Sequence, residues 1–277
     1  MSRAMQLKAR IKHIAQKNDV PAQAVLQNYM LERLLERIAL SPYKHRFILK
    51  GGMLIASLVG IDNRTTMDMD TTLKDYPLSE DAVKQALSDI CDIALDDEVV
   101  LTFNHIKLIR NDDEYGGYRA SMTAQYETIN TALKMDITTG DVITPAAILY
   151  SFPSLFESKV MEVWAYNTET ILAEKIETIL ERSVLNTRPR DFYDVYILMK
   201  TQRKNIDSQI LLDALAATCQ KRSSTSILND RDSILIMIQQ DAVMRERWDR
   251  YGAEYSYAHD IRFDDVIKTI RDTLLAD

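Results

Sequence analysis

A chain of 277 residues with 46% hydrophobic and 27% charged side chains can bury a substantial core, as one large domain or two smaller ones, and falls outside the disordered class. Its two cysteines, Cys91 and Cys219, make no disulfide framework, and its longest clearly apolar stretch, MLIASLVGI, is far shorter than the roughly 20 residues that span a bilayer. The net charge of −7 disfavours indiscriminate nucleic-acid binding, yet residues 1 to 50 hold ten Lys or Arg against three acids.

That basic opening section reads as two helices, MQLKARIKHIAQ and AVLQNYMLERLLERIAL, separated by a break at KNDVPAQ. The pair fits either a helix-turn-helix or two helices packed on a core, since no base-reading helix stands out. HRFILKGG follows as a short strand ending at glycine, and MLIASLV starts another helix. Strand patterns recur at TTMDMDTTL, VVLTFNHIKLIR, YRASMTAQYE and LKMDITTGD, with NDDEYGG suited to a hairpin between the second and third. After FESKVMEVWAYN the periodicity returns to helices, in TETILAEKIETILERSVL, RDFYDVYILMK, SQILLDALAATCQ and further segments. The sheet therefore occupies the middle of the chain. The expected fold is mixed α+β, divided near residue 165. With no apolar leader and no membrane span in the pattern, a cytoplasmic location is expected.

Chemistry gathers in a few segments. Alternation along a strand would project Asp68 and Asp70 together and turn Met67 and Met69 toward the core. Adjacent carboxylates repel unless a cation lies between them, and magnesium suits oxygen ligands of this kind. Gly51 and Gly52, just before a helix, would let backbone N–H groups approach a phosphate, although a glycine pair alone also marks a tight turn. In LKMDITTGD the alternation puts Leu133, Met135 and Ile137 on one face and Lys134, Asp136 and Thr138 on the other. It reads as an ordinary half-exposed strand or as the source of a third carboxylate, with Lys134 touching phosphate. Lys175 falls inside the apolar stripe of its helix, so its ammonium either snorkels outward or meets an anion. Asp191, behind Pro189, is either a first-turn acid of the next helix or part of the site, and Asp194 competes with it. The four histidines show no metal-ligand spacing, and no Ser-His-Asp order, Walker loop or zinc motif is present.

In this order, LKGG, RTTMDMD, the Lys-x-Asp of LKMD, LAEK and RDFYD resemble the motifs of AbiEii-type nucleotidyltransferase toxins, within the DNA polymerase beta-like superfamily, from about residue 10 to at least residue 200. The resemblance implies a nucleotidyltransferase-like sheet core flanked by helices over 1–165 and a mainly helical lobe over 166–277 that completes the active site. It also implies magnesium (manganese as the alternative), a nucleoside triphosphate substrate, an RNA acceptor such as tRNA, a cognate antitoxin and a role in abortive infection. On it rest the site assignments: metal on Asp68, Asp70 and Asp136, phosphate contacts from Lys50, Gly51, Gly52, Thr66, Lys134 and Lys175, and Asp191 orienting Lys175 or joining the acids. The superfamily often has Gly-Ser before its paired acids at a shorter interval, whereas fifteen residues separate Gly52 from Asp68 here and Met53 follows the glycines. Two rivals from other classes are a catalytically silent RNA- or protein-binding module, docking through the basic N-terminal section, and a metal-dependent phosphohydrolase.

Overall fold

A computed structural model describes residues 2–109 and 116–275. In chain order the elements are α1 (Arg3–Asn18), α2 (Ala22–Leu40), β1 (Phe47–Lys50), α3 (Gly51–Val59), β2 (Met69–Leu73), α4 (Glu80–Cys91), β3 (Val99–Ile109), β4 (Gly117–Tyr126), β5 (Ile129–Thr139), β6 (Ile148–Pro153), β7 (Val160–Ala165), α5 (Thr168–Arg182), α6 (Pro189–Gln202), α7 (Ser208–Lys221), α8 (Ile227–Gln240), α9 (Ala242–Glu254) and α10 (Phe263–Leu274). The chain forms two compact units, one of residues 1–141 and 147–165, the other of residues 142–146 and 166–277.

In the first unit the strands form one sheet in the order β3-β4-β5-β2-β1-β7-β6. The pairs β1–β2, β3–β4, β4–β5 and β6–β7 are antiparallel, whereas β2–β5 and β1–β7 are parallel. β3 and β4 pair with Ile109 opposite Gly117, and the turn expected at NDDEYGG lies, for residues 110–115, outside the described residues. β5 keeps the alternation its sequence shows: Leu133, Met135 and Ile137 are fully buried and Lys134 is exposed. Three elements lie outside the expectations from periodicity. α4 has the signals of a helix, a Ser79 hydroxyl capping the Ala82 N–H, acids in the first turn, and Val83, Ala86, Leu87 and Ile90 buried on one face. β6 and β7 are short strands beside β1, the second lying within FESKVMEVWAYN.

α2 settles the reading of the opening section. Val25, Met30, Leu31, Leu34, Leu35 and Ile38 are buried, and so are the charged Glu32, Arg33 and Arg37, while the helix packs on β5, β7 and α4. A helix enclosed in this way has no free face to lay in a DNA groove, so α2 is a packing helix, and α1, with Ala4, Leu7, Ile11 and Ala15 buried, packs on it. The buried charges are ion-paired within the fold. Glu32 accepts from the Ser154 hydroxyl at 2.7 Å and the Leu155 N–H at 2.8 Å and pairs with Arg33, whose guanidinium also lies over the Tyr29 ring. Arg37 donates to both oxygens of Asp97, at 2.7 and 3.0 Å, and to the carbonyls of Arg33, Ile93 and Val99. It thereby ties the second helix to the start of the edge strand β3.

The second unit is helical. Asn167 caps α5 through the Thr170 N–H at 2.7 Å and donates to the carbonyls of Thr144 and Ala146, which binds residues 142–146 to this unit. An aromatic cluster of Phe192 and Tyr193 on α6, Trp248 and Tyr251 on α9 and Phe263 on α10 fills part of its core. Cys91 and Cys219 are free and buried, and burial pushes the Cys91 thiol up to about 11, leaving it protonated at neutral pH. No helix among the described residues is long and apolar enough to cross a membrane.

The clamp on Asp97 makes stability depend on pH. Burial alone would raise its carboxyl, but the hydrogen bond from Arg37, the Val99 N–H and the arginine charges hold it below its ordinary value of 3.8. A carboxylate depressed by folding stabilises the protein above its unfolded value, and that contribution is lost as pH falls through the folded one. Asp97→Asn, which leaves Arg37 without its counter-charge, is expected to cost about 3 kcal/mol at pH 7 in urea unfolding. The difference from the parent should shrink below pH 3.8; equal stability at pH 7 would contradict the clamp.

Candidate active site

Register across the sheet collects the charged residues. Lys50 on β1 faces Asp70 on β2, Asp70 lies beside Asp136 on β5, and Asp136 faces Arg119 on β4. Residues paired in this way project from the same face, so one transverse row carries a cation, two carboxylates and a cation. Asp136 accepts from Arg119 Nε at 2.7 Å and from a terminal guanidinium nitrogen at 2.6 Å, one bond to each carboxylate oxygen. That bond, then the charge of Asp136, then those of Asp68 and Asp70, hold the Arg119 proton more firmly than usual. The third carboxylate expected from LKMD is therefore beside Asp70, but with both oxygens already bound by Arg119. Arg119 was not singled out by the sequence, where it is one arginine in an alternating strand; only the register shows its partner.

At the other end of the row, Lys50 Nζ lies 2.7 Å from Asp141 Oδ2, which also accepts from the Thr138 hydroxyl at 2.7 Å. Burial raises the Asp141 carboxyl, and it is outweighed by the Lys50 charge together with hydrogen bonds from Lys50, Thr138 and Thr72, which leave it lowered. Lys50 is thus held by Asp141, the last residue of LKMDITTGD. Lys134 is exposed on the same sheet face as Asp136, two residues before it.

The glycine pair meets the acids directly. Gly51 has φ +67°, a left-handed conformation, and a Cβ there would stand 2.0 Å from Asp70 Oδ2; one on Gly52 would stand 2.8 Å from Thr66 Oγ1. The Gly52 N–H donates to Asp70 Oδ2 at 3.4 Å from the first turn of α3, where the helix dipole favours negative charge. The Thr66 hydroxyl donates to Asp68 Oδ1 at 3.0 Å. Both carboxylates are thereby positioned around the start of α3, and the glycines are required first of all by how closely the acids approach. Met53, the unusual residue after them, is buried among α3's apolar side chains. The expectation that Met67 turns toward the core fails: it is 48% exposed, while Met69 is fully buried. β2 begins only at Met69, so strand alternation does not reach back to residue 67.

In the helical unit, the anion that Lys175 meets comes from its own fold. Its Nζ lies 2.5 Å from Asp191 Oδ1 and 3.0 Å from Asp194 Oδ2. Both aspartates are buried near the start of α6, behind Pro189 at its first position, so the two candidates share the lysine. Asp191 Oδ2 is buried and accepts no hydrogen bond.

Among the described residues no three of His, Cys, Asp or Glu form a group that would hold a metal alone. Magnesium ordinarily takes one or two carboxylates and completes its shell with substrate phosphates and water, so Asp68 and Asp70 fit it as a partial donor set.

Asp70 on β2, with Asp68 just before it, lies beside a glycine-started helix within a mixed sheet flanked by helices. A sequence profile for the nucleotidyl transferase AbiEii toxins of type IV toxin–antitoxin systems matches residues 33–269, and the chain belongs to this family. MenT4, a nucleotidyltransferase toxin of Mycobacterium tuberculosis, shares the fold with a TM-score of 0.58 at 12% identity, over 97% of this chain and 98% of that one. A candidate nucleotidyltransferase of Helicobacter pylori gives a TM-score of 0.49 at 14% identity, over 92% of this chain and 96% of its own. JHP933 of the same organism gives 0.46 at 17%, over 91% and 92%. No curated protein sequence matches the chain.

The steric role of the glycines is testable without any substrate. Gly51→Ala adds a Cβ against Asp70 in a left-handed backbone and is expected to cost at least about 2 kcal/mol in urea unfolding. Gly52→Ala should cost less, and less again when combined with Thr66→Ala, which removes the hydroxyl that the new methyl meets. Alanine variants as stable as the parent would refute the close approach.

Proposed function

We propose that the protein transfers a nucleotide from a nucleoside triphosphate to an RNA acceptor such as tRNA, in a magnesium-dependent reaction. The observation that supports this most is the sheet row Lys50–Asp70–Asp136–Arg119, with Asp70 and Asp68 gathered at the start of α3. Asp68 and Asp70 would hold the metal, with manganese as the alternative ion, and when bound it would supply positive charge for the triphosphate and the departing pyrophosphate. The Thr66 hydroxyl orients Asp68, and the Gly52 N–H orients Asp70. Gly51 and Gly52 leave room for phosphate oxygens at the helix start, and Lys50 and Lys134 contribute positive charge. The acceptor hydroxyl attacks the α-phosphorus, its proton passes to Asp136, and the bond to the β-phosphate oxygen breaks. Arg119 sets the position of Asp136 and balances its charge. In the helical unit, Lys175 is proposed as a phosphate-binding lysine, oriented by Asp191 and Asp194.

The type IV toxin–antitoxin description of the family supports a cognate antitoxin, and the expected setting is the cytoplasm, where tRNA is available. Asp70→Asn is expected to lower transfer of labelled NTP onto total RNA at least a hundredfold while leaving the thermal transition in place. Undiminished transfer by the folded variant would remove Asp70 from the mechanism. Sequencing RNA 3′ ends after incubation with each NTP identifies donor and acceptor together, and phosphate release without incorporation would instead indicate hydrolysis.

A further inference from the structure

We propose that the open face of β3, β4 and β5 is the surface on which the acceptor RNA lies. This rests on the transfer reaction proposed above, and it assigns that reaction's acceptor to a particular part of the fold. The three strands bury one face almost completely, with Leu101, Ala120, Met122, Ala124, Leu133, Met135 and Ile137 at 5% exposure or less. Their other face is left to solvent. In register it carries Lys107 opposite Arg119, Arg119 opposite Asp136, and His105 opposite Ser121, itself opposite Lys134. Lys107, His105, Arg119 and Lys134 are all exposed.

The charge on this face runs against that of the whole chain. The protein carries a net charge of −7, yet among the described residues of this face Asp136 is the one acid, and Arg119 neutralises it. Strand spacing of about 4.8 Å and a rise of about 3.4 Å per residue place Arg119, Lys134 and Lys107 within about 10 Å of Asp136 in the sheet lattice. The basic face is therefore continuous with the row that holds the carboxylates.

Its composition favours nucleic acid over protein. Protein interfaces are anchored by aromatic and large apolar side chains, and on this face Val100 and Ile109, at opposite ends of β3, are the large aliphatic residues among those described. Cations interleaved with Ser, Thr, Asn and Gln are the groups that contact phosphate and sugar. Without an aromatic platform for bases, the expected recognition is of the backbone, tolerant of sequence and sensitive to salt. In the basic N-terminal section Arg33, Arg37 and Lys50 are committed to ion pairs, and the exposed lysines of α1, Lys8, Lys12 and Lys17, are the competing surface that the control variant below addresses.

The test uses the whole chain and fluorescently labelled total tRNA, with anisotropy followed across a salt series. Lys107→Glu and, one strand repeat beyond the bulge, Thr102→Glu are expected to weaken binding at least fivefold. Lys107→Glu should also make the slope of log affinity against log salt shallower by about 0.7. Lys8→Glu, the same charge change as Lys107→Glu at an exposed position of α1, is the control and should bind as the parent does. In the transfer assay the acceptor KM should rise at least fivefold for Lys107→Glu while the KM for NTP is unchanged. The proposal is overturned if both sheet variants, with parental melting temperatures, bind tRNA like the parent. It is equally overturned if Lys8→Glu weakens binding as much as they do, or if they lose a co-expressed antitoxin but keep tRNA. If the parent transfers no nucleotide to any RNA yet binds tRNA through Lys107, the reaction fails and the surface stands.

Discussion

The acids of the sheet and the start of α3 come closer than any side chain on residue 51 would permit. Asp70 Oδ2 occupies the volume of a Gly51 Cβ, and the Thr66 hydroxyl crowds that of Gly52. Because the backbone can pass there, strand β1 turns directly into α3 with a positive φ at the junction, and the helix delivers an N–H to the carboxylate of the neighbouring strand. Thr66 in turn fixes Asp68. A site that needs two carboxylates and a helix N-terminus at one place could not be built from these elements with any larger residue at the turn.

Charge balance is the second organising feature. Several ions have a defined partner: Arg37 with Asp97, Lys50 with Asp141, Arg119 with Asp136, Lys175 with Asp191 and Asp194. Burying an ion costs several kcal/mol unless a partner and hydrogen bonds compensate, so these pairings constrain the fold. In the first unit they also fix the positions of Lys50 and Asp136 within the sheet row. For Asp136 it means that a guanidinium already occupies both oxygens, and any role in proton transfer passes through that contact.

Membership of the AbiEii nucleotidyl transferase toxins places this architecture among enzymes. The same sheet then has two differently used faces. The buried one supplies the core, and the open one carries the site row at one end and a basic surface extending from it. One alternating pattern thus builds both a buried core face and an open charged face, because successive strand residues point in opposite directions.

Local patterns determined much by themselves. The period-2 alternation of residues 133–138 and the glycine after FILK are local signals, and the structure contains the corresponding strand β5 and the β1–α3 junction. The apolar stripe around Lys175 required an anion or an exit to solvent, and the ordered motifs pointed to the family. Other features had no local signature. Whether the N-terminal helices were DNA readers or packing helices depended on what surrounded α2, which only the tertiary structure decided by enclosing it. Extrapolating alternation to Met67 failed because the strand begins two residues later. Arg119 and Asp141 are unremarkable in sequence, and became part of the candidate site because register and a loop end brought them to Asp136 and Lys50, 17 and 91 residues away. Periodicity reports which way a side chain points, since that is set within a few residues; it carries nothing about which distant element will pack alongside, and the charge pairs of this protein are made by that packing.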